Sequence, residues 1–277
     1  MSVVENIIKN DGRIENYNPE KYHRRTNIAA EGLNCSASLI EMHAAASIIE
    51  GSSSQDIQKA LIKAGADLIT PEFPDYEIAT ARLLNQKIRK DVYGQWEPKP
   101  LLEMINNNAK AGYYDGKYLF EHYTEEDINR YQKLLNFERD ENFVYSGLAK
   151  VEKSYLMKRY GKTQETPQEM FLLIVMFAFA KYKGKLRDKW VKEGYDILST
   201  FEASLPTPIM IQLRTAFRRF ISCNVLAMGD SKETLANAAR AIYLMVAGGA
   251  GLGVQPGDIR GINAPIDNGR LEHTGYF

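Results

Sequence analysis

The apolar positions of the first hundred residues change from short β-prone runs to helical spacing after residue 17. Residues 6–17 read NIIKNDGRIENY, and Asp11-Gly12 between the two runs is typical of a type I′ hairpin turn. Asn18-Pro19 fits an N-cap followed by proline in the first turn of a helix. Four helices are predicted, over residues 19–33 and 37–50, from the cluster Ser52–Ser54 onwards, and from Asp75 to Gly94.

The rest of the chain divides into a helical stretch and a final segment of mixed character. Residues 95–215 are predicted to be mostly helical, and the apolar run Met170–Ala180 predicts a buried helix. From about residue 216 a strand candidate, Phe217–Ala227, precedes a helix and a glycine-rich bend into Leu252–Val254. This order of strand, helix and strand predicts one crossover unit of an α/β sheet or barrel.

Composition limits the class of protein. The 277 residues are 44% hydrophobic and 25% charged, which excludes wholesale disorder. The 35 basic and 35 acidic residues cancel, so neither a nucleic acid nor a membrane is expected as a partner. The chain has two cysteines, no apolar run long enough to span a bilayer, and no signal-peptide pattern at its start. We therefore expect a cytoplasmic location.

Three lysines lie near a predicted turn or on predicted helices and could together bind phosphate groups. Helix N-termini also supply backbone N–H groups to anions. Lys9 lies beside the predicted hairpin turn, Lys21 in the first turn of a helix, and Lys90 on the fourth helix. Each lysine taken alone is also typical of a solvated surface residue, and the spacing does not decide between these interpretations. The run Gly249–Gly253 follows a helix rather than a strand, which favours a tight connection over a dinucleotide fingerprint.

The cysteine and histidine positions do not by themselves indicate chemistry. Cys223 lies in the strand candidate without a neighbouring base, which favours a small buried apolar residue. The four histidines lack metal-ligand spacing, so no metal site is predicted. Asp230–Glu233 reads as a capping box at a helix start, where capping is favoured and anion binding stays open.

Nine stretches of the sequence, in one order along the chain, together resemble a single protein family. They are AAEGL (29–33), IKAGADLI (62–69), PDYEIATARL (74–83), VYGQWEP (92–98), YDGKYL (114–119), STFEASLPTPIM (199–210), SCNVLAMGDS (222–231), GAGLGV (249–254) and IRGINAPI (259–266). The chain resembles the large, catalytic alpha subunit of class I ribonucleotide reductase, of the enterobacterial and T4-like phage type. SLPTPIM followed by SC and GDS is the most specific combination, and the resemblance covers essentially all 277 residues.

The resemblance implies a mainly helical fold with α/β parts, in three domains. Residues 1–94 match an ATP cone of one β-hairpin and four helices, which senses ATP against dATP and sets overall activity. Residues 95–215 match the helical domain, and residues 216–277 match the incomplete start of a ten-stranded α/β barrel. The family's cone contacts to the nucleotide fall on Lys9, Glu15, Asn18, Lys21, Ser54, Ile57 and Lys90.

Two cone positions depart from the family pattern. Asn10 stands where many relatives have a basic residue, and Gln58 stands where a histidine is usual. Both positions can touch the effector, so we expect dATP to inhibit weakly or not at all.

The resemblance also implies a substrate site and a specificity site. Contacts to the ribonucleoside diphosphate fall on Thr207, Ser222, Cys223 and Gly251. Contacts to the deoxynucleoside triphosphate that selects the substrate fall on Asp230, Ser231, Lys232, Arg260 and Ile266. Cys223 matches one of the two thiols that supply reducing equivalents while the ribose 2′-hydroxyl leaves as water. Asp267, Asn268, Gln255 and Pro256 depart from the family pattern and leave the preferred effector open.

The sequence lacks the family's Asn-x-Cys-x-Glu stretch, and no cysteine follows Cys223. We therefore expect activity only together with a complementary C-terminal chain of the large subunit. The other implied partners are the small subunit, which holds the di-iron tyrosyl radical, and thioredoxin or glutaredoxin; no covalently bound cofactor is implied. The alternatives are a free-standing regulatory protein that binds ATP or dATP, and an inactive fragment.

Overall fold

The structure is a computed structural model that describes residues 4–9 and 12–275. The chain divides into two compact units, of which the first ends at Phe217 and the second begins at Arg218. The architecture is mainly helical with four two-stranded sheets among the described residues, which confirms the predicted fold class. No helix in the described part of the chain is both long and apolar enough to cross a membrane.

The first unit begins with the predicted hairpin, formed by β1 (Asn6–Ile8) and antiparallel β2 (Ile14–Asn16). The Lys9 N–H donates to the Arg13 carbonyl at 2.8 Å, and the Gly12 N–H donates to the Lys9 carbonyl at 2.9 Å. Three residues lie between the hydrogen-bonded pair Lys9 and Arg13, so the prediction of a two-residue type I′ turn is wrong. Gly12 has φ 84°, a left-handed conformation that glycine adopts without strain. The predicted turn residue Asp11, with Asn10, lies outside the described residues.

Four helices follow the hairpin, as predicted, but the second ends five residues before the predicted residue 50. They are α1 (Pro19–Ala30), α2 (Ala37–Ala45), α3 (Ser54–Asp67) and α4 (Asp75–Tyr93). The Asn18 side chain caps α1 by accepting from the Glu20 N–H, and Gly94, at φ 72°, ends α4. α1 is three residues shorter than predicted because Arg82 of α4 donates to the carbonyls of Ala29 and Glu31. These long-range hydrogen bonds satisfy carbonyls at the end of the helix.

α4 is the element on which the first unit is assembled, since it packs against α1, α3 and α8. The approach of α3 to α4 is close enough to require glycine: a Cβ on Gly65 would lie 2.4 Å from Thr80 Oγ1. Leu83 and Ile88 of α4 are fully buried in the same core. The position of α4 is therefore fixed on several sides.

The remainder of the first unit is mostly helical, as predicted. Its elements are α5 (Leu101–Lys110), α6 (Gly116–His122), α7 (Glu125–Gln132), a 3₁₀ turn (Phe137–Asn142), α8 (Tyr145–Ser154), β3 (Lys158–Arg159), β4 (Lys162–Thr163), α9 (Pro167–Ala178), α10 (Gly184–Ser199) and α11 (Thr207–Gln212). α9 is buried on every side from Pro167 to Phe177, which confirms the predicted buried helix. Thr166 and Glu169 form a capping box at its start.

The second unit contains the predicted crossover. Its elements are β5 (Cys223–Ala227), α12 (Lys232–Ala247), β6 (Gly251–Gln255), β7 (Pro265–Ile266), a 3₁₀ turn (Asp267–Gly269) and β8 (Leu271–Glu272). β5 and β6 are parallel, with Cys223 opposite Gly251. β5 begins six residues later than the predicted strand. Ser231 caps α12, and its capping-box partner is Thr234 rather than Glu233.

Candidate functional site

A basic cavity lies where the β1–β2 hairpin meets the start of α1 and the end of α4. Its narrow part is lined by Ile7, Lys9, Glu15, Asn16, Asn18, Lys21, Tyr22, Arg25, Ser54 and Lys90. A wider cavity of about 500 Å³ is lined by Lys21, Arg24, Arg25, Ile28, Gln86, Lys90, Gly94, Gln95 and Trp96. The two parts share Lys21, Arg25 and Lys90, and we treat them together as the basic cavity.

The narrow part of the basic cavity has more cations than anions. Lys9, Lys21, Arg25 and Lys90 line it with one carboxylate, Glu15. Lys9 Nζ lies 3.2 Å from Glu15 Oε2, and Lys21 Nζ donates to Glu15 Oε1. Hydrogen bonds from Lys21 and then Lys9 lower the pKa of Glu15, which stays ionised. One carboxylate leaves a surplus of positive charge, which favours an anionic ligand with several charges.

Lys90 shows the electrostatic consequence of this surplus. Burial lowers the pKa of the Lys90 amine, and the positive charges of Arg25 and Lys9 lower it further. A phosphate in the cavity would favour the protonated amine and reverse that shift.

The structure brings together most of the predicted cone residues. Lys9, Glu15, Asn18, Lys21, Ser54 and Lys90 all line the narrow part of the cavity. Ile57 packs in the core behind them with 0% of its side chain exposed. Its side chain is therefore unavailable to a ligand in the present arrangement.

Gln58 is 4% exposed and positions a cation of the cavity from behind. Its Oε1 accepts from Arg25 Nη1 at 3.0 Å, and its Nε2 donates to the Leu83 carbonyl at 3.0 Å. Asn10, the other departure from the family pattern, lies outside the described residues. Arg25 is not among the residues predicted from the sequence, although it lies four residues after Lys21 on α1, a spacing that places both on one face.

The second unit brings Ser222, Cys223 and Gly251 together at the start of two parallel strands. The Gly251 N–H donates to the Ser222 carbonyl at 2.6 Å, and Ser222 Oγ lies 3.8 Å from Cys223 Sγ. A Cβ on Gly251 would lie 3.3 Å from the Ser222 carbonyl oxygen, which is tight for a larger residue. Cys223 is exposed, so its interpretation as a buried apolar residue is wrong.

The predicted specificity residues also lie in the second unit. Arg260 Nε donates to Asp230 Oδ2 at 2.6 Å, and the Arg260 backbone N–H donates to Asp230 Oδ1 at 3.2 Å. Hydrogen bonds from Arg260 lower the pKa of Asp230. Ser231 and Lys232 begin α12 directly after Asp230, and Arg260 Nη1 donates to the Pro265 carbonyl beside Ile266. The structure therefore groups these residues and shows that Asp230 already pairs with the guanidinium of Arg260.

Thr207 is the one predicted substrate residue that belongs to the first unit. It is exposed at the start of α11, and its Oγ1 lies 3.3 Å from the Tyr155 hydroxyl. The loop after α11 is held by Arg214, which is completely buried and pairs with the completely buried Glu165. Arg214 also donates to the carbonyls of Met210 and Tyr155. These bonds fix the segment that carries Thr207.

No cluster of three or more histidine, cysteine, aspartate or glutamate side chains in the described part of the chain could hold a metal ion.

Two known protein families match parts of the chain. Residues 5–91 match the family described as the ATP cone domain. Residues 141–218 match the family described as the ribonucleotide reductase, all-alpha domain.

Comparison with known proteins decides the family. Ribonucleoside-diphosphate reductase 1 subunit alpha of Escherichia coli K12 is 38% identical over 272 residues, which are 97% of this chain. The ribonucleoside-diphosphate reductase alpha subunits of Enterobacteria phage T4 and Haemophilus influenzae are each 36% identical, over 98% and 97% of this chain. The chain belongs to the class I ribonucleoside-diphosphate reductase alpha-subunit family. It corresponds to the N-terminal region and spans 36% of the length of these three relatives.

The basic cavity lies in the part of the chain that matches the ATP cone. The ATP cone match contains every cavity residue from the hairpin to Lys90, and Gly94, Gln95 and Trp96 lie within five residues of its end. The presence of an ATP cone supports binding of a nucleotide effector and fits allosteric regulation.

Proposed function

We propose that the basic cavity binds ATP and dATP, and that the chain acts as the N-terminal, regulatory part of a ribonucleoside-diphosphate reductase alpha subunit. The observation that carries this proposal is the convergence of Lys9, Lys21, Arg25 and Lys90 on one cavity of the cone. In this proposal the lysines bind the phosphates, and Asn18 and Ser54 contribute polar contacts. Ile57 contributes by packing behind the site.

The Lys90→Met variant tests this proposal directly. We expect it to weaken ATP binding about 10-fold to 100-fold, because hydrogen bonds to charged groups contribute about 1.5–3 kcal/mol. Isothermal titration calorimetry on the full chain gives the affinity. Lys63→Met is the matched control, since the Lys63 amine is exposed on α3 and pairs with Asp67. An unchanged affinity in Lys90→Met, or absence of ATP binding by the parent chain, contradicts the proposed site.

The affinity for ATP is also expected to fall as pH rises through the alkaline range. The pKa of Lys90 is lowered by burial and then by Arg25 and Lys9, and a bound phosphate raises it. Between the two pKa values binding takes up a proton, so the affinity decreases with rising pH. Calorimetry in two buffers of different ionisation enthalpy measures this uptake, which Lys90→Met should lose. Proton release by the parent chain on binding would show that the sign is wrong.

We further propose that Thr207, Ser222, Cys223 and Gly251 contact a ribonucleoside diphosphate substrate. In this proposal Cys223 is one of two thiols that are oxidised together to a disulfide. The two electrons and two protons reduce the ribose carbon, and the 2′-hydroxyl leaves as water. The second thiol comes from the remaining part of the alpha subunit. An external dithiol, thioredoxin or glutaredoxin, then reduces the disulfide by exchange. The exposure of Cys223 beside Gly251 supports this role.

A second nucleotide site is proposed around the start of α12. Asp230, Ser231, Lys232, Arg260 and Ile266 are its proposed contacts with a deoxynucleoside triphosphate. The grouping of Asp230 with Arg260 and the β7 edge supports this placement. Because Asp230 pairs with Arg260, an incoming phosphate must compete with that carboxylate for the guanidinium.

The proposal includes the domain division and the partners. We assign residues 1–94 to the ATP cone, 95–215 to the helical domain and 216–277 to the beginning of the barrel. The partners are the remainder of the alpha subunit and a small subunit that carries the di-iron tyrosyl radical. Family membership and the two free cysteines support a cytoplasmic location.

A further inference from the structure

The last turn of α4 contacts the basic cavity on one side and the helical part of the first unit on the other. Lys90 lines the cavity, whereas Arg89 and Tyr93 of the same turn are buried, at 7% and 3% exposure. Arg89 and Tyr93 are four residues apart and therefore lie on one face of the helix, and that face is buried, whereas the adjacent Lys90 lines the cavity. This turn is therefore placed to transmit a displacement from the cavity.

Tyr93 connects the turn to the buried start of α9. Its hydroxyl donates to Glu169 Oε1 at 2.8 Å. Glu169 is 1% exposed, and its Oε2 accepts from the Thr166 N–H at 2.8 Å and from Thr166 Oγ1 at 2.9 Å. The carboxylate is thus shared between the α9 capping box and α4. A shift of Tyr93 cannot leave the cap unchanged.

Arg89 provides a second connection to the same place. Its guanidinium lies 4.5 Å from the ring centre of Trp96 and 5.0 Å from that of Phe137. Arg89 Nη2 also donates to the Trp96 carbonyl at 2.9 Å. Trp96 lines the basic cavity, and Phe137 begins the 3₁₀ turn that holds Asp140. Asp140 Oδ1 accepts from Gln168 Nε2 of α9 at 2.8 Å, so this path also ends at the start of α9.

We propose that Arg89 and Tyr93 are positioning residues of the nucleotide site, and that they couple occupation of the basic cavity to the packing of the α9 start. This inference rests on the proposed binding of ATP in that cavity. A helical turn held by backbone hydrogen bonds moves as one body, so a ligand that draws Lys90 also displaces its two neighbours. Coupling requires only that their contacts differ between the bound and unbound protein.

The test is hydrogen–deuterium exchange of the full chain with and without saturating ATP, followed in peptides that cover residues 165–178. We expect ATP to change the exchange of the first α9 turn about fivefold or more in the parent chain. Tyr93→Phe removes only the hydroxyl that reaches Glu169 and should reduce this response to less than about twofold. By reciprocity, the same variant should change the affinity for ATP about fivefold.

Tyr123→Phe is the matched control. Tyr123 is 2% exposed and donates its hydroxyl to the Met176 carbonyl at the other end of α9 at 2.7 Å. It should keep the full ATP response, because its hydroxyl bonds to the Met176 carbonyl and not to the capping box at the start of α9. Arg89→Lys is a second variant that keeps the charge, loses the planar fork on the Trp96 carbonyl, and should reduce the response as well.

The outcomes separate the two proposals. ATP binding by the parent without any change in α9 exchange overturns the coupling and leaves the nucleotide site intact. An equal loss of response in Tyr93→Phe and Tyr123→Phe also overturns it, because the effect is then a general loosening of α9. A parent chain that does not bind ATP overturns the proposed site and the coupling with it.

Discussion

Glu165→Gln is expected to lower the free energy of unfolding by about 3–5 kcal/mol, because it leaves a buried guanidinium without its counter-charge. Both side chains of the Arg214–Glu165 pair are 0% exposed. Arg214 Nε donates to Glu165 Oε2 at 3.1 Å, and Arg214 Nη2 donates to Oε1. The Met157 N–H and the Tyr114 hydroxyl donate to the same carboxylate. A glutamine amide would place N–H donors against these donors.

Urea unfolding followed by far-UV circular dichroism measures the effect of Glu165→Gln. Asp67→Asn removes one partner of an exposed pair with Lys63 and should change the unfolding free energy by less than about 0.5 kcal/mol. The double variant Glu165→Leu with Arg214→Met should be more stable than Glu165→Gln, because it leaves neither member of this pair as an unpaired buried charge. A loss below about 1 kcal/mol in Glu165→Gln would contradict the importance of this pair.

Cys223→Ser is expected to reduce ribonucleotide reduction to background when the chain is combined with the rest of an alpha subunit and a small subunit. Serine preserves the size of the side chain, but its hydroxyl cannot be oxidised to a disulfide. ATP binding should stay within about twofold of the parent value, because the residues that line the basic cavity belong to the first unit and Cys223 belongs to the second. Turnover with a dithiol reductant and calorimetry with ATP give the two readouts.

Cys35→Ser is the control for this experiment. Cys35 is half-buried between α1 and α2, and burial raises the pKa of its thiol, which disfavours the reactive thiolate. We expect the Cys35→Ser enzyme to turn over like the parent. Full turnover by Cys223→Ser would remove this residue from the proposed chemistry, and loss of turnover in both variants would point to folding rather than redox chemistry.

Local signals in the sequence were sufficient to place the starts of the first four helices. Asn18 caps α1 and Gly94 ends α4, because a capping residue acts on the few residues beside it. The end of α1 was predicted too late because Arg82, about fifty positions away, binds its final carbonyls. The β3–β4 hairpin was not predicted, since strands of two residues show no alternation.

The candidate sites show the same limit of local reasoning. Spacing alone could not distinguish three surface lysines from a cluster, because the hairpin, α1 and α4 meet only in the folded chain. The pairing of Arg25 with Gln58 across α1 and α3 has no sequence signal either. The exposure of Cys223 depends on which elements pack against the face of β5, and the sequence of that strand alone does not show this. Family resemblance supplied the grouping that periodicity could not.

The layer of polar side chains at the start of α9 has a consequence for how this helix is oriented. From Met170 to Phe177 every side chain of the helix is apolar and buried in the hydrophobic core. Apolar contacts of this kind are nearly interchangeable, so they define the rotation of α9 about its own axis poorly. Glu165, Thr166, Gln168 and Glu169 are each at most 1% exposed and each have directional partners. We infer that these few hydrogen bonds fix the rotation and the axial position of α9, whereas the apolar contacts supply most of the free energy that stabilises its packing.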